Sequence, residues 1–194
     1  MVDFGNRFED RRFAYQYLRR AVEAQLRVNP LIIALVPGQP THGDLMFTEQ
    51  HAHPDGFTCF NTGTTRVAEP YRELVDGWLP QTLHHITRAD GTTDRSMIYI
   101  PCGTLGMDAR PWYGADWSGP YVLGVTPGLF ERHLEDIKAF IDSGKVTTLR
   151  TVILYAWNEW GEAAKSIEPS RVGGYSYTDV IRQVFGLTPR TQRP

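Results

Sequence analysis

A short apolar run that empties straight into a polar, aromatic string constrains this chain more than any other feature. Thr151-Val-Ile-Leu154 is followed at once by Tyr-Ala-Trp-Asn-Glu-Trp-Gly-Glu over residues 155–162. β-Branched residues favour a strand. Two carboxylates, two indoles and an amide at its end read as polar chemistry delivered to the C-terminal edge of a sheet. In parallel α/β folds that edge is where active sites are built. Glu159 and Glu162 share one face if the chain turns helical after the strand. In an extended chain their odd spacing throws them to opposite faces. The pair therefore works as a site only where strand gives way to loop or helix. Paired carboxylates framed by aromatic rings are usual equipment for cutting glycosidic bonds. The competing reading is solvated loop charges beside tryptophans that fill the core.

The rest of the chain alternates in the way such a sheet requires. Residues 7–28 carry Phe13, Tyr17, Leu18, Val22 and Leu26 at helical offsets, and Asn29-Pro30 ends the helix. Leu31–Val36 is short and continuously apolar, as a strand buried on both faces should be. Residues 37–55 read as a long polar loop with three histidines, and Gly56–Phe60 as a second strand. From Pro70 a helix places Tyr71, Leu74, Val75, Trp78 and Leu79 on one face, and Pro80 kinks or ends it. Ser96–Ile100 is a third strand, followed by a Gly/Trp-rich loop over 101–120. Thr126-Pro127 starts a helix, Phe130, Leu134, Ile137 and Ile141 give its apolar face, and Gly144 is its stop. Thr151–Tyr155 is the fourth strand, and a closing helix holds Val180, Ile181, Val184 and Phe185 before Gly186. This order implies a parallel sheet with helices outside, either open or closed into a barrel. A complete eight-stranded barrel takes about 250 residues. The expectation over residues 1–194 is one (β/α) barrel domain of TIM type or, with four to five strand–helix units, its C-terminal portion.

Twenty Lys and Arg against 22 Asp and Glu give a net charge of −2, with no basic stripe to recommend a nucleic-acid partner. No apolar run reaches the roughly 18–20 residues that cross a bilayer. The first ten residues lack the apolar core of a signal peptide, which favours a cytoplasmic protein or a segment of a longer, exported one. Cys59 and Cys102 read as reduced and buried, since two thiols make no disulfide framework. His42, Asp44, His51 and His53 have no tight ligand spacing, so no metal is expected, although their loop would lie on the catalytic face of a barrel. His84 and His85 read as surface residues at a helix end. No Gly-x-Gly-x-x-Gly, Walker lysine or Gly-x-Ser-x-Gly elbow is present, and no cofactor is expected.

Residues 155–169, Tyr-Ala-Trp-Asn-Glu-Trp-Gly-Glu-Ala-Ala-Lys-Ser-Ile-Glu-Pro, resemble the Trp-Asn-Glu-Trp-x-Glu-Gly…Glu-Pro signature of glycoside hydrolase family 99. They are similar also to WbsX-like proteins of polysaccharide gene clusters and to family 71/99-like hydrolases. Thr126–Glu131 and Val180–Gly186 resemble the helices around that signature. Gly106-Met-Asp-Ala-Arg-Pro111 stands where those proteins carry Gly-Trp-Asp-Asn-Thr-Pro-Arg. The chain departs from the pattern at Ala163, in place of glycine, by one extra residue before Ile167, and in the order Arg110-Pro111.

The resemblance implies a (β/α)₈ barrel that hydrolyses α-linked, mannan-like glycans with retention. It implies that Glu159 helps the sugar's own 2-hydroxyl attack the anomeric carbon, giving a 1,2-anhydro intermediate. Glu162 would protonate the departing oxygen and then activate water. Asn158, Trp157 and Trp160 would line the substrate. Asp108, Arg110 and Trp112 read as a sugar subsite, against the alternative of a loop salt bridge beside a packed indole. Two alternatives stay open: a WbsX-type protein of surface-polysaccharide assembly, and a non-catalytic glycan-binding or remnant domain. The partners expected are an oligosaccharide or polysaccharide and either the missing N-terminal half of the barrel or a second copy.

Overall fold

The computed structural model describes residues 8–36, 41–59, 68–116, 119–158, 166–169, 174 and 176–186. Its elements are α1 (Phe8–Leu26), β1 (Ile33–Val36), α2 (His42–Ala52), β2 (Gly56–Cys59), β3 (Glu69–Pro70), α3 (Tyr71–Ile86), β4 (Tyr99–Ile100) and β5 (Cys102–Thr104). A 3₁₀ helix (Arg110–Asp116) follows, then β6 (Val122–Leu123), α4 (Pro127–Asp142), β7 (Ile153–Tyr155) and α5 (Ser176–Phe185). The strands pair in parallel, in the orders β1–β2–β4, β5–β7 and β3–β6. The protein is therefore a parallel α/β fold built from strand–helix units.

The middle of the sheet explains how the strand order works. β4 and β5 are two halves of one extended segment interrupted by Pro101. The first half pairs with β2, Phe57 opposite Tyr99 and Thr58 opposite Ile100. The second half pairs with β7, Cys102 opposite Ile153 and Thr104 opposite Tyr155. Proline cannot donate to a ladder, but its carbonyl still accepts the Ile153 N–H at 3.0 Å. The third strand thus runs past the proline at which the sequence pattern stopped it, into the stretch read as loop.

Past the switch, β5 has backbone groups that side chains must satisfy, because buried polar groups are costly when unpaired. Helices α3 and α4 supply them. Trp78 Nε1 donates to the Cys102 carbonyl at 2.9 Å and the Tyr71 hydroxyl to the Thr104 carbonyl at 2.7 Å. The Thr104 N–H donates to Nε2 of His133 at 3.3 Å. The His133 ring stands edge-on to Trp78 at 5.7 Å and to Tyr71 at 6.4 Å. Close packing of α4 on β5 also needs Gly103, where a Cβ would come within 2.8 Å of Ile137 and 3.0 Å of Leu154.

The core follows the apolar faces of α3 and α4. Trp78, Tyr71, Phe130, Leu134 and Ile137 are wholly or almost wholly buried, each such side chain contributing about 1.5–3 kcal/mol before entropy is counted. The expected start of α4 is observed: Thr126 Oγ1 caps the Leu129 N–H at 3.2 Å, with Pro127 in the first turn. Gly144 and Gly186, the expected stops, have φ of 61° and 64°.

Five features differ from the sequence reading. Residues 42–52 of the supposed polar loop form α2, held by a capping box in which the Asp44 N–H bonds Thr41 Oγ1 and the Thr41 N–H bonds the Asp44 carboxylate. Its apolar periodicity is negligible, so the cap was the only helix signal. Pro80 does not end α3, which runs on to Ile86. Leu79, assigned to the apolar face of α3, is partly exposed. His85 is buried, because it falls on the same helix face as Trp78 and Thr82, while His84 stays exposed. Cys59 and Cys102 are buried as expected but joined in a disulfide, since the end of β2 and the start of β5 bring their Cα atoms to 5.6 Å.

Candidate active site at the C-terminal sheet edge

The β5–β7 pairing fixes the site. Thr104 and Tyr155 lie opposite each other at the last paired rungs, so the segments leaving them start one strand spacing apart, about 4.8 Å. From β5 comes the loop holding Asp108, Arg110 and Trp112. From β7 come Ala156, Trp157 and Asn158.

The β5 loop is built around its own ion pair. The Asp108 side chain is 3% exposed and takes Arg110 in a two-pronged grip, Nε to Oδ1 at 2.8 Å and Nη2 to Oδ2 at 2.5 Å. The Arg110 backbone N–H also donates to Oδ1 at 3.2 Å. The guanidinium lies 3.8 Å from the centre of the Tyr121 ring, a cation–π geometry. Its hydrogen bond to Asp108 raises an already high pKa further. The return strand is tied in by Val122 N–H to Met107 O and Ala109 N–H to Pro120 O, both 2.9 Å. Gly106, at φ 81°, makes the turn possible: a Cβ there would meet Val122 at 2.6–2.9 Å. Trp112 and Tyr113 project from this frame 60% and 55% exposed.

On the β7 side Trp157 is 54% exposed, and Asn158 is also exposed. The chain comes back to the same place at residues 166–168. The Ile167 N–H bonds the Ala156 carbonyl at 3.0 Å and the Glu168 N–H bonds the Trp157 carbonyl at 2.8 Å. Glu159, Trp160 and Glu162 lie outside the described residues. Of the residues singled out in the sequence, the structure therefore brings Asp108, Arg110, Trp112, Trp157 and Asn158 to the ends of two neighbouring strands.

His42 does not join them. His42 Nε2 lies 3.0 Å from Asp94 Oδ2, in the connection that enters β4 at its N-terminal end, so its partner belongs to the opposite edge. Burial alone would raise the Asp94 carboxyl, but hydrogen bonds from Ser96 and His42 and the Arg88 charge bring it down to about 2. Among the described residues no group of three or more His, Cys, Asp or Glu side chains could hold a metal, and no helix is long and apolar enough to cross a membrane.

His133 was missed by the sequence reading. Burial brings both it and His85 down to about 4, so both are neutral. His133 seats the end of β5, and its only signal in the sequence is its position on the buried face of α4, between Phe130 and Ile137.

Comparison with known proteins places these observations. One solved structure, described as a glycoside hydrolase-like protein, superposes with a TM-score of 0.58 at 15% sequence identity, over 89% of this chain and 49% of that one. The chain thus spans about half the length of that protein, and the likeness is one of fold. No curated protein matches. A family model described as glycosyltransferase WbsX matches residues 49–181. That stretch runs from α2 to α5 and contains every strand end described above except that of β1, and with it the chain belongs to the WbsX family.

Proposed function

We propose that this chain is a glycan-active protein whose site is the shared end of β5 and β7, and that its reaction is hydrolysis of α-linked, mannan-like glycans with retention. The observation that carries the reading is the β5–β7 register. It supports a single site because exposed Trp112 and Trp157 and the amide of Asn158 start from adjacent strand ends. Flat, exposed indoles suit pyranose rings, and an amide suits their hydroxyls. The two glutamates follow directly in the chain. In this reading Glu159 assists the substrate's 2-hydroxyl, and Glu162 serves as acid and then base. An acid at neutral pH needs a pKa well above the usual 4.3 or so. Burial against Trp157 or Trp160 and repulsion from Glu159 would provide it. Arg110 is held by Asp108, so this pair shapes the subsite wall, and Trp112 is the group that stacks.

In this reading the chain is the C-terminal portion of a (β/α) barrel, in keeping with its parallel strands and with its covering about half of the glycoside hydrolase-like structure. The remaining strands would come from a further segment or a second copy, and activity belongs to the completed barrel. The family's description favours a second reading, assembly of a surface polysaccharide by sugar transfer.

The test is incubation with α-mannan and related α-linked oligosaccharides, the anomer of the first product being read by NMR. A parallel assay offers an activated sugar donor and an acceptor. Retained configuration in released sugar supports hydrolysis, and a lengthened acceptor supports transfer. Glu162→Gln should cut turnover roughly a hundredfold or more while glycan binding survives. Unchanged turnover in that variant removes the acid/base assignment. Binding without turnover in the wild-type chain leaves a glycan-binding domain.

A further inference from the structure

The loop that leaves the C-terminal end of β5 presents two aromatic side chains in succession. Trp112 and Tyr113 are neighbours in the 3₁₀ helix Arg110–Asp116 and are 60% and 55% exposed. Their mount is stiff. The Trp112 N–H donates to the Ala109 carbonyl at 2.9 Å, and Asp108 bridges to Tyr121 in an antiparallel step. The Tyr113 ring is seated as well. It lies against buried Gly119, where a Cβ would come within 2.6 Å of the ring's Cδ2 and 2.9 Å of the Ala109 backbone. Only glycine leaves that room. Tyr113 is therefore not a loose surface ring: it rests on backbone on one side, while more than half of the residue stays open to solvent. A 3₁₀ helix has three residues per turn, so consecutive side chains point roughly 120° apart. The two rings thus cannot cover one sugar together, and each offers a surface of its own.

We infer that Tyr113 is a second sugar-stacking residue of the β5 loop, which takes the glycan unit next to the one on Trp112, so that this loop selects an oligosaccharide chain over a single sugar. The chemistry is complementary: a pyranose has an apolar face that a flat ring covers, and a ring already held in place loses little freedom when it binds. Gly119 is then a positioning residue that acts through Tyr113. The inference rests on the glycan-active reading above and adds a subsite to that same site.

The experiment measures binding by calorimetry on the Glu162→Gln chain, so that turnover does not interfere, with α-mannooligosaccharides from the disaccharide to the hexasaccharide. Affinity should rise with length until both rings are covered. Adding Tyr113→Ala should remove that gain, a loss of about three- to tenfold for the longer ligands, and hardly change the shortest, which Trp112 holds. Tyr113→Phe should bind as the parent does, and Tyr113→Leu, apolar but not flat, should bind the longer ligands less well. Thermal melting of each variant checks that the fold is kept. A loss that is equal at every length, or no loss at any, overturns this inference and leaves the functional reading standing. A wild-type chain that binds no α-linked glycan overturns the functional reading and this inference with it.

Discussion

At the scale of single residues, the β5 loop shows how much rests on backbone geometry. Gly106 combines a φ of 81° with a Cβ position 2.6–2.9 Å from Val122, so alanine there meets strain and overlap together. Gly106→Ala should cost roughly 2–4 kcal/mol, read as a drop in Tm. Gly103→Ala meets only the tips of Ile137 and Leu154 side chains and His133, and should cost about 1–2 kcal/mol. Equal losses in the two variants would refute the turn argument. Arg110→Ala should leave the buried Asp108 carboxylate without its main cation and loosen the loop under Trp112. Limited proteolysis within residues 105–121 would then be faster than in the parent chain. The sequence identified Asp108, Arg110 and Trp112 as members of one loop. It did not separate a sugar grip from a salt bridge, because two charges two positions apart in irregular chain can close on each other or on a ligand. Folding here closes the two charges on each other and leaves the indole facing outward.

At the scale of elements, the helices with strong apolar periodicity, α3 and α4, were legible, together with the cap of α4 and the stops of α4 and α5. The helix without periodicity, α2, was not. The strand halves around Pro101 were not legible either, since a proline is an ordinary strand terminator and the change of partner depends on where β2 and β7 end. Three side chains compensate for that change, and one of them is a histidine. His133, like His85, has a folded-state pKa near 4 against about 6.5 unfolded. The unfolded chain therefore binds more protons between these values. Stability is full above about pH 6.5 and falls as pH drops towards 4, by up to roughly 3 kcal/mol for His133. Urea midpoints measured from pH 7 to 4 should fall over that window, and His133→Asn should flatten part of the decline. A midpoint that is constant over that range would contradict the neutral, buried assignment.

At the scale of the whole molecule, the sequence conveyed the parallel α/β class and the edge that gathers the aromatic groups. It did not convey the disulfide, because the approach of Cys59 to Cys102 depends on two strands meeting across 43 positions. Closing a loop of that size is worth about 4 kcal/mol in the chain-entropy account. Native protein denatured without reductant should take up no thiol label. Reduction should expose two labelled cysteines and lower the Tm by several degrees. Two labels without reduction would show that the bridge does not form.

The two backbone ties between residues 156–157 and 167–168 have a consequence for how such proteins diversify. They hold residues 156–157 and 167–168 together at the end of the sheet, so that the number of residues between them can change while both ends stay in place. The one-residue insertion that sets this chain apart from the family signature falls inside that span. Family members can therefore differ in the length of this stretch without disturbing the strands that carry it.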